Sequence, residues 1–466
     1  MAEKSKGEIL KETLSYNVKN SYEKMDEAEI EKAYGFCNEY KRFLDICKTE
    51  RECSDYIIKA ATEKGFTPYD KNKKYKAGDK VYINNGGKSN FLFIFGKKPV
   101  SEGVMITAAH VDAPRLDLKP RPLYEDNSLA LFKTHYYGGI KKYQWTAIPL
   151  SLHGVVILES GEKKEIVIGE GENDPVFALT DLLPHLAKDQ MEATLKNAFK
   201  GEGMNILIGS RPFKDDKVSE KVKLNILSIL NEKYGIKEED LISAELEIVP
   251  AFKARDVGLD RSMIGAYGQD DRVCAYTALM GILDTEEPEY SCLCALVDKE
   301  ETGSDGVTGM QSHFMSYFLE DIAAITNTTL RDIYRNSMCL SADVSAAFDP
   351  NYSEAYDPKN SVYINNGVAV MKYTGHGGKG GTSDASAEFF AEVRRILKDV
   401  VWQSGELGKV DQGGGGTVAK YIANLSVNTI DIGVPVLSMH SPFEVVSKTD
   451  VYNTYKAMVN FYNYVK

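Results

Sequence analysis

Histidine and acidic residues stand at the ends of short apolar runs along this chain. Such runs are typical of strands buried on both faces of a sheet, and ligands of open α/β sheets bind beyond the carboxyl ends of the strands. The runs and the residues after them are 104–109 before His110, 292–297 before Asp298, Glu300 and Glu301, 338–342 before Asp343, and 434–439 before His440. These side chains can therefore converge although they are far apart in sequence.

Asp270 is a further candidate because it precedes an Ala- and Leu-rich segment, 273–283, that predicts a helix. A carboxylate at a helix N-terminus is favoured by the helix dipole. Each candidate also has an ordinary alternative. Asp270 could be only a helix cap, Asp343 a loop acid and either His a core imidazole, while Glu300 and Glu301 could form a solvated turn.

Two local spacings indicate metal-assisted hydrolysis. In His110-Val111-Asp112 the carboxylate can reach the second imidazole nitrogen, which fixes the tautomer of a metal-binding His and raises its basicity. In Glu300-Glu301 one carboxylate can bind a metal while its neighbour stays free to take a proton from a bound water.

The elements that must position these residues are of the mixed α/β class. Residues 1–65 read as helical, with a cap formed by Asp26 and Glu29, and a hairpin follows at 80–83 and 91–95. From 118 to 252 the pattern becomes β-rich, with strand-like runs at 155–158, 166–168, 206–208 and 246–249 and helical segments near Leu179 and Leu224. The mixed pattern then resumes. We therefore expect a discontinuous catalytic domain, 1–117 and 253–466, with a mixed sheet and helices on both faces, interrupted by an inserted domain at 118–252.

Composition narrows the class of protein. The 466 residues include 56 Lys and Arg against 68 Asp and Glu, a net charge of −12, which disfavours nucleic acid and anionic membranes as partners. Seven cysteines without a CxxC pair favour a reducing compartment. The sequence shows no secretory signal and no apolar run of about 18 residues, so we expect a cytoplasmic protein that does not enter a membrane.

Four motifs resemble the aspartyl aminopeptidase family of dinuclear zinc exopeptidases, in the same order and spacing along essentially the whole chain. They are AHVDAPRLDLKPRP at 109–122, DKEETGS at 298–304, SADVSAAFDPNY at 341–352 and LSMHS at 437–441. The resemblance implies two metal sites that share one carboxylate. His110 and Asp343 would hold one ion, Glu301 and His440 the other, and Asp270 would bridge them.

The same resemblance implies that Asp112 orients His110 and that Glu300 is the general base. It implies two divalent ions per subunit, Zn²⁺ being expected and Co²⁺ or Mn²⁺ being alternatives, and peptide substrates with a free N-terminus. It further implies that the insertion at 118–252 is a dimerisation domain, and that homodimers pack into a tetrahedral dodecamer.

The sequence departs from the family where a substrate side chain would be read. After His440, residues 441–444 are Ser-Pro-Phe-Glu in place of Ser-x-Arg-Glu, and a Lys-Gln-Arg-Tyr stretch aligns only loosely with the Gly-rich loop that holds His376 and Lys379. The preferred N-terminal residue, acidic or neutral, therefore stays open. His185 resembles a residue that reaches a neighbouring subunit's site, and local packing is its alternative role. The Gly-rich stretches 375–381 and 413–416 could be substrate loops or plain connections.

Three other functions are compatible with parts of the pattern. Asp270-Asp271-Arg272 also suits dinuclear aminopeptidases of the glutamyl or tetrahedral type. A dimetal phosphohydrolase would use similar ligands, and Arg115, Lys119 and Arg121 are the cations near them in sequence. A non-catalytic shell protein would share the fold, but here every expected ligand and the base are present.

Overall fold

Helices and strands alternate through most of the computed structural model, which describes residues 4–16 and 19–465. The α-helices are α1 (Lys6–Leu14), α2 (Ser21–Lys24), α3 (Glu27–Ile46), α4 (Glu50–Glu63), α5 (Lys188–Glu192), α6 (Leu195–Ala198), α7 (Lys221–Tyr234), α8 (Gln269–Leu283), α9 (Phe314–Ile325), α10 (Leu330–Asn336), α11 (Ala387–Ile396), α12 (Ala419–Ala423) and α13 (Lys448–Tyr462).

The strands follow the same chain order. They are β1 (Thr67–Pro68), β2 (Lys80–Asn85), β3 (Ser89–Ile94), β4 (Val104–His110), β5 (Arg115–Asp126), β6 (Leu129–Tyr137), β7 (Pro149–Ile157), β8 (Lys163–Ile168), β9 (Phe177–Ala178), β10 (Ile206–Gly209), β11 (Glu245–Pro250), β12 (Arg255–Val257), β13 (Met263–Ala266), β14 (Ser291–Val297), β15 (Met338–Ala342), β16 (Ser345–Ala346), β17 (Val368–Met371), β18 (Trp402–Ser404), β19 (Asn428–Gly433), β20 (Pro435–Leu437) and β21 (Glu444–Ser447).

The expected helical N-terminal region and the hairpin after it are confirmed. Asp26 caps α3 by accepting a hydrogen bond from the Glu29 amide at 2.9 Å. Helix α4 ends just before Gly65, which adopts a left-handed φ of 86°. Strands β2 and β3 pair antiparallel as the hairpin requires. Residues 1–3, 17 and 18 of the expected helical region lie outside the described residues.

The largest sheet carries helices on both faces, as expected. Its strand order is β1-β2-β3-β14-β4-β15-β19-β17-β18, and the central strands β14, β4, β15 and β19 run parallel. Along β14, Cys292, Cys294 and Leu296 pack towards α3, α8 and α13, whereas the alternating residues pack towards α9, α10 and α12. Both faces of the central strands are buried, which explains their continuous apolar sequence.

The carboxyl ends of these parallel strands meet at one edge of the sheet. His110 ends β4 and lies opposite Val297, the last residue of β14. Asp343 directly follows β15, which pairs with the other side of β4. Three of the four apolar runs thus deliver their polar residues to a common place.

The fourth run, 434–439, is not a strand of this sheet, and that expectation was wrong. The adjacent strand of the large sheet is β19, which ends at Gly433, while β20 belongs to a small sheet of order β12-β13-β21-β20-β16. Pro435 offers no amide hydrogen to a ladder, and Ser438 and His440 have left-handed φ values of 59° and 62°. His440 therefore reaches the site on a tight turn.

The second sheet is built from strands between Arg115 and Pro250, in the order β11-β5-β6-β10-β9-β7-β8. Because β11 pairs with both β5 and β7, the sheet closes on itself and encloses a core that includes Phe132, Trp145 and Ile248. The expected helix near Leu224 is α7. The expectation of a helix near Leu179 was wrong. Strand β9 occupies 177–178, and Pro184 follows too closely for a helix to form between them.

Within the described residues, no helix is both long and apolar enough to cross a bilayer.

Gly433 offers a test of how tightly the sheet edge is packed around the candidate residues. A β-carbon there would lie 1.7 Å from the carbonyl oxygen of Asp343, so the backbone must move to admit it. We expect Gly433→Ala to lower the free energy of unfolding by about 1–3 kcal/mol. Gly35→Ala, in open space on the exposed side of α3, should raise it by roughly 0.5–1 kcal/mol. Urea unfolding of both variants measures the difference, and equal stabilities would contradict this packing.

Candidate active site

Two histidines face opposite oxygens of one buried carboxylate. The His110 Nε2 atom lies 3.3 Å from Asp270 Oδ1, and the His440 Nε2 atom lies 3.1 Å from Asp270 Oδ2. Asp270 is 3% exposed and sits at the start of α8, where it and Asp271 depart from helical φ and ψ angles. The carboxylate is therefore aimed at the strand ends instead of capping its own helix.

Two further carboxylates extend this arrangement into two potential metal sites. Asp343 Oδ1 lies 3.9 Å from His110 Nε2, and Glu301 Oε1 lies 3.6 Å from His440 Nε2. Within each site the possible ligand atoms lie within 4.8 Å of one another. The sites are His110 with Asp270 and Asp343, and Asp270 with Glu301 and His440.

Glu300 stands beside both groups and belongs to neither. Its Oε2 atom lies 3.9 Å from His110 Nε2, and Lys299, in a left-handed conformation, turns the chain from β14 into the 300–302 turn. Burial raises the pKa of the Glu300 carboxyl to about 7; His110 opposes the shift and Asp270 adds to it. A carboxyl group with such a pKa can exchange protons near neutral pH.

Asp112 ties these parts together. Its Oδ1 atom lies 3.3 Å from His110 Nδ1, as the His-x-Asp spacing anticipates. Its carboxylate also accepts hydrogen bonds from the backbone amides of Glu300 and Glu301, at 3.1 and 3.2 Å. Burial opposes ionisation, but bonds from His110 and Tyr137 hold the pKa of Asp112 below its ordinary value. Asp112 thus contacts both the imidazole, through its carboxylate and its backbone carbonyl, and the backbone amides of the adjacent glutamates.

Three consecutive residues from the second sheet also support the site, and sequence reasoning missed them. The Tyr137 hydroxyl donates to Asp112 Oδ2 at 2.7 Å, and the Gly139 carbonyl lies 2.7 Å from His440 Nδ1. Gly138 has a left-handed φ of 73°, and a β-carbon there would lie 3.0 Å from Glu301 Oε2, so glycine is favoured at this approach. The Gly-Gly pair was the one available signal, because a glycine pair at the end of a strand often marks close approach of backbone to another group.

The crowded carboxylates of the cluster favour the binding of cations. Burial raises the pKa values of the Glu301 and Asp343 carboxyls well above their ordinary values. The charge of Asp270 adds to the shift for Glu301, and the charge of Asp271 adds to the shift for Asp343. Glu301 Oε1 is buried without a hydrogen-bond partner among the described residues. Burial opposes protonation of His440, yet Asp270 raises its pKa to about 10. A divalent ion would compensate the carboxylates and displace that proton.

A cavity of about 220 Å³ opens beside the cluster. Asp270, Glu300, Asp343 and His440 line it together with backbone of 414–416. The second Gly-rich stretch therefore lies at the site, which favours the substrate-loop alternative over a plain connection.

Other residues considered from the sequence lie elsewhere. His376 and Lys379 are not among those that line the cavity. His185 is exposed in the 3-10 turn Pro184–Leu186, which contradicts a packing role within this chain. In the segment after His440, where the sequence departs from the family pattern, Phe443 packs against Phe252 with ring centroids 5.7 Å apart.

The basic residues near His110 in sequence do not form a phosphate site. Arg115 is buried, with Glu50 and Glu247 at 3.3 and 3.1 Å. Lys119 pairs with Glu202 at 2.7 Å, and Arg121 is exposed on β5. None of the three lines the cavity.

Comparison with known proteins agrees with this geometry. A model of the aminopeptidase I zinc metalloprotease (M18) family matches residues 43–462. The chain belongs to the M18 family. It is accordingly a metal-dependent aminopeptidase, a hydrolase, and the resemblance to aspartyl aminopeptidases fits this family.

Individual M18 proteins are similar over nearly the full chain. A probable M18 family aminopeptidase 1 of Clostridium acetobutylicum is 50% identical over 455 residues, covering 95% of this chain and 98% of the relative. The crystal structure of an M18 aminopeptidase from Thermotoga maritima superimposes with a TM-score of 0.93 at 44% identity, covering 97% of this chain and 100% of that one. A Saccharomyces cerevisiae structure described as an mApe1 dodecamer shares the fold, with a TM-score of 0.73 at 22% identity, covering 91% and 95% of the two chains.

Tyr137→Phe tests whether the second sheet positions the metal ligands of this M18 protein. Loss of the hydroxyl leaves Asp112 less firmly held, and residues that support metal ligands typically change metal affinity by about 10–100-fold. We expect weaker metal retention in competition with a chelator, with the fold retained. Tyr136→Phe is the matched control, since Tyr136 is the 43%-exposed neighbour on the same strand. Equal metal affinity of the two variants would exclude the positioning role.

Proposed function

We propose that the enzyme uses two divalent ions that share Asp270, with His110 and Asp343 at one site and Glu301 and His440 at the other. The observation that carries this proposal is the division of Asp270 between two histidines, one at each oxygen. A salt bridge alone would require only one imidazole beside the carboxylate. A carboxylate shared by two cations requires a further ligand for each cation, and His110 and His440 are placed to supply one each.

The ligand chemistry suits zinc. Imidazole and carboxylate ligands are those of catalytic zinc sites, which use three protein ligands and leave a position open, and the family is described as one of zinc metalloproteases. Co²⁺ and Mn²⁺ accept the same nitrogen and oxygen ligands and are the alternatives. When bound, the ions would polarise the scissile carbonyl and make water more acidic.

Glu300 is proposed as the general base. It is half-buried beside the proposed ligands without belonging to either group of three, so its carboxylate is available for proton transfer. It would take the proton of the attacking water and deliver it to the leaving amine. Asp112 would hold His110 and the backbone of the 300–301 turn in position for this exchange.

The substrates are proposed to be peptides with a free N-terminus. A small cavity beside the cluster can take one residue, and the acidic groups that line it suit a protonated α-amino group. The rest of the peptide must then lie on the other side of His440, where a larger cavity of about 600 Å³ begins. This arrangement favours removal of single residues over internal cleavage.

The segment 118–252 is proposed as a dimerisation domain. Between β9 and β10 it exposes a series of large apolar side chains that a lone subunit would leave in water: Leu182, Leu183, Leu186, Met191 and Leu195. Apolar surface of this kind marks interaction sites. His185 lies within the series, which suits a contact with a second copy. The yeast structure of the same fold is described as a dodecamer, which supports assembly of this chain into a dodecamer, and we propose that homodimers pack tetrahedrally within it.

A reducing compartment, the cytoplasm, is proposed as the location. All seven cysteines are buried and free. Persistent free thiols are typical of reducing compartments.

Glu300→Gln tests the general base. The amide keeps the size of the side chain but cannot take a proton, so we expect kcat to fall by about 10²–10⁴-fold. The variant should still bind two ions per subunit by elemental analysis. Glu31→Gln, on the exposed side of α3, is the matched control and should retain full activity. Full activity of Glu300→Gln with intact metal would remove Glu300 as the base.

The same preparations test the ions. Wild-type protein treated with a chelator should lose hydrolysis of a peptide substrate and regain it on addition of Zn²⁺. Cleavage that persists after complete metal removal would contradict the metal mechanism. One ion per subunit in the fully active enzyme would contradict the shared carboxylate.

The oligomer proposal is tested by placing charge in the exposed apolar segment. We expect Leu186→Glu to lower the mass measured by sedimentation velocity, because burying an unpaired carboxylate in an interface costs several kcal/mol. Leu259→Glu, in the fully exposed turn between β12 and β13, should leave the mass unchanged. A wild-type protein that sediments as a monomer would refute the proposal.

A further inference from the structure

We propose that Glu444 is a positioning residue that holds two of the proposed metal ligands, Asp270 and His440, through their backbone amides. This inference rests on the proposed function and extends it to a side chain outside the groups of ligands. Glu444 is 1% exposed and is not among the described residues that line the cavities of about 220 Å³ and 600 Å³. Its carboxyl group faces the chain segments that carry the ligands.

Each oxygen of the Glu444 carboxyl group accepts one backbone hydrogen bond. The His440 amide donates to Oε1 at 2.7 Å, and the Asp270 amide donates to Oε2 at 3.0 Å. The two donors are remote in sequence, yet both belong to the group of possible ligands that includes Glu301. One side chain therefore joins the two segments that bring ligands to this site.

The small sheet brings Glu444 to this position. Glu444 is the first residue of β21 and lies opposite Ala266, the last residue of β13, in an antiparallel pair. The chain then passes from β13 into α8 through Gln269, whose side-chain amide donates to the Glu444 carbonyl at 2.6 Å and to the Ile264 carbonyl at 3.1 Å. The backbone of Glu444 is thus held beside the segment that leads to Asp270.

The backbone at both ligands benefits from an acceptor at this place. His440 has a left-handed φ of 62°, which is uncommon for a residue with a side chain and persists where neighbouring groups hold it. The Asp270 amide lies in the first turn of α8, where backbone amides have no acceptor within the helix. The Glu444 carboxyl group supplies an acceptor to each. Its loss would free the backbone from which each ligand side chain projects.

The arrangement resembles that of Asp112, whose carboxylate accepts hydrogen bonds from the amides of Glu300 and Glu301. The two carboxyl groups differ in the ligands they contact. Both donors to Glu444 are possible ligands of one metal site, whereas only Asp270 is shared with the other site. We therefore expect loss of Glu444 to weaken the site that contains His440 more than the site that contains His110.

The experiment measures Zn²⁺ binding by Glu444→Gln. The new side chain has one acceptor oxygen and an NH₂ group that can only donate, so it can satisfy one of the two backbone amides. Residues that support metal ligands typically change metal affinity by about 10–100-fold. We expect one of the two ions to be held about 10–100-fold less tightly in competition with a chelator, and the other to be retained as in wild type. Half-maximal hydrolysis should require correspondingly more free Zn²⁺.

Asp450→Asn is the matched control. Asp450 is a fully buried carboxyl group on α13 that also accepts two backbone hydrogen bonds, from the amides of Asn365 and Gly367, both at 2.7 Å. Neither donor is a proposed ligand. We expect both substitutions to lower the melting temperature, because each removes the same kind of buried acceptor, but only Glu444→Gln to lower Zn²⁺ affinity. Wild-type affinity in Glu444→Gln, or an equal loss of affinity in both variants, would overturn the positioning role.

Glu444→Asp keeps the inference testable if Glu444→Gln does not fold. The shorter side chain keeps both oxygens but withdraws them from the amides by about 1.5 Å, the length of one carbon–carbon bond. We expect the same selective loss of one ion, and unchanged retention of both would count against the positioning role. The wild-type protein separates the two proposals. Fewer than two Zn²⁺ ions in the active wild type would contradict the shared carboxylate, whereas two equally tight ions in wild type and in the Glu444 variants would overturn only this inference.

Discussion

The Asp270 carboxylate, placed between His110 and His440, organises the candidate active site. Several carboxylates are brought together in a buried place, where their mutual repulsion and loss of water are unfavourable. Burial opposes the ionisation of Asp270, but bonds from His110 and His440 hold its pKa well below the ordinary value. A cluster of this composition is stable with cations, whether these are protons on the histidines or metal ions. The same requirement supports the proposal that the site is a metal centre.

Two different sheets position the residues of this centre. The parallel strands β14, β4 and β15 deliver Glu300, His110 and Asp343 to one edge of the large sheet. The end of β6 then brings Tyr137, Gly138 and Gly139 against Asp112, Glu301 and His440. The end of the second sheet thus contacts Asp112 and the candidate metal ligand His440. Dimer contacts made through the proposed dimerisation domain would therefore be made by the same segment that contacts the candidate ligands.

Glycine determines how closely the chain segments around the site can approach. Gly433 lies where a β-carbon would collide with the Asp343 carbonyl, and Gly138 where one would press on Glu301. Gly414 packs in the same way on the loop behind the cavity. Each close approach brings backbone to a place that a side chain would otherwise fill. Glycine backbone at 414–416 forms part of the wall of the small cavity.

Local patterns along the chain were enough to predict the chemistry of the candidate site and most of the elements that carry it. The apolar runs before His110, Glu300 and Asp343 predicted buried strands, because strands covered on both faces cannot alternate with polar residues. The position of Asp270 before an apolar helix and the His-x-Asp spacing were also local signals. The apolar run at 434–439 led to a wrong prediction of a strand in the large sheet. A local pattern does not reveal that Pro435 starts a strand in another sheet. Three facts emerge from the folded chain alone: Tyr137–Gly139 contacts Asp112 and His440, Lys379 pairs with Asp384, and Met371, Leu407 and Met439 line the same cavity. Those facts depend on contacts between residues remote in sequence, which periodicity and composition do not encode.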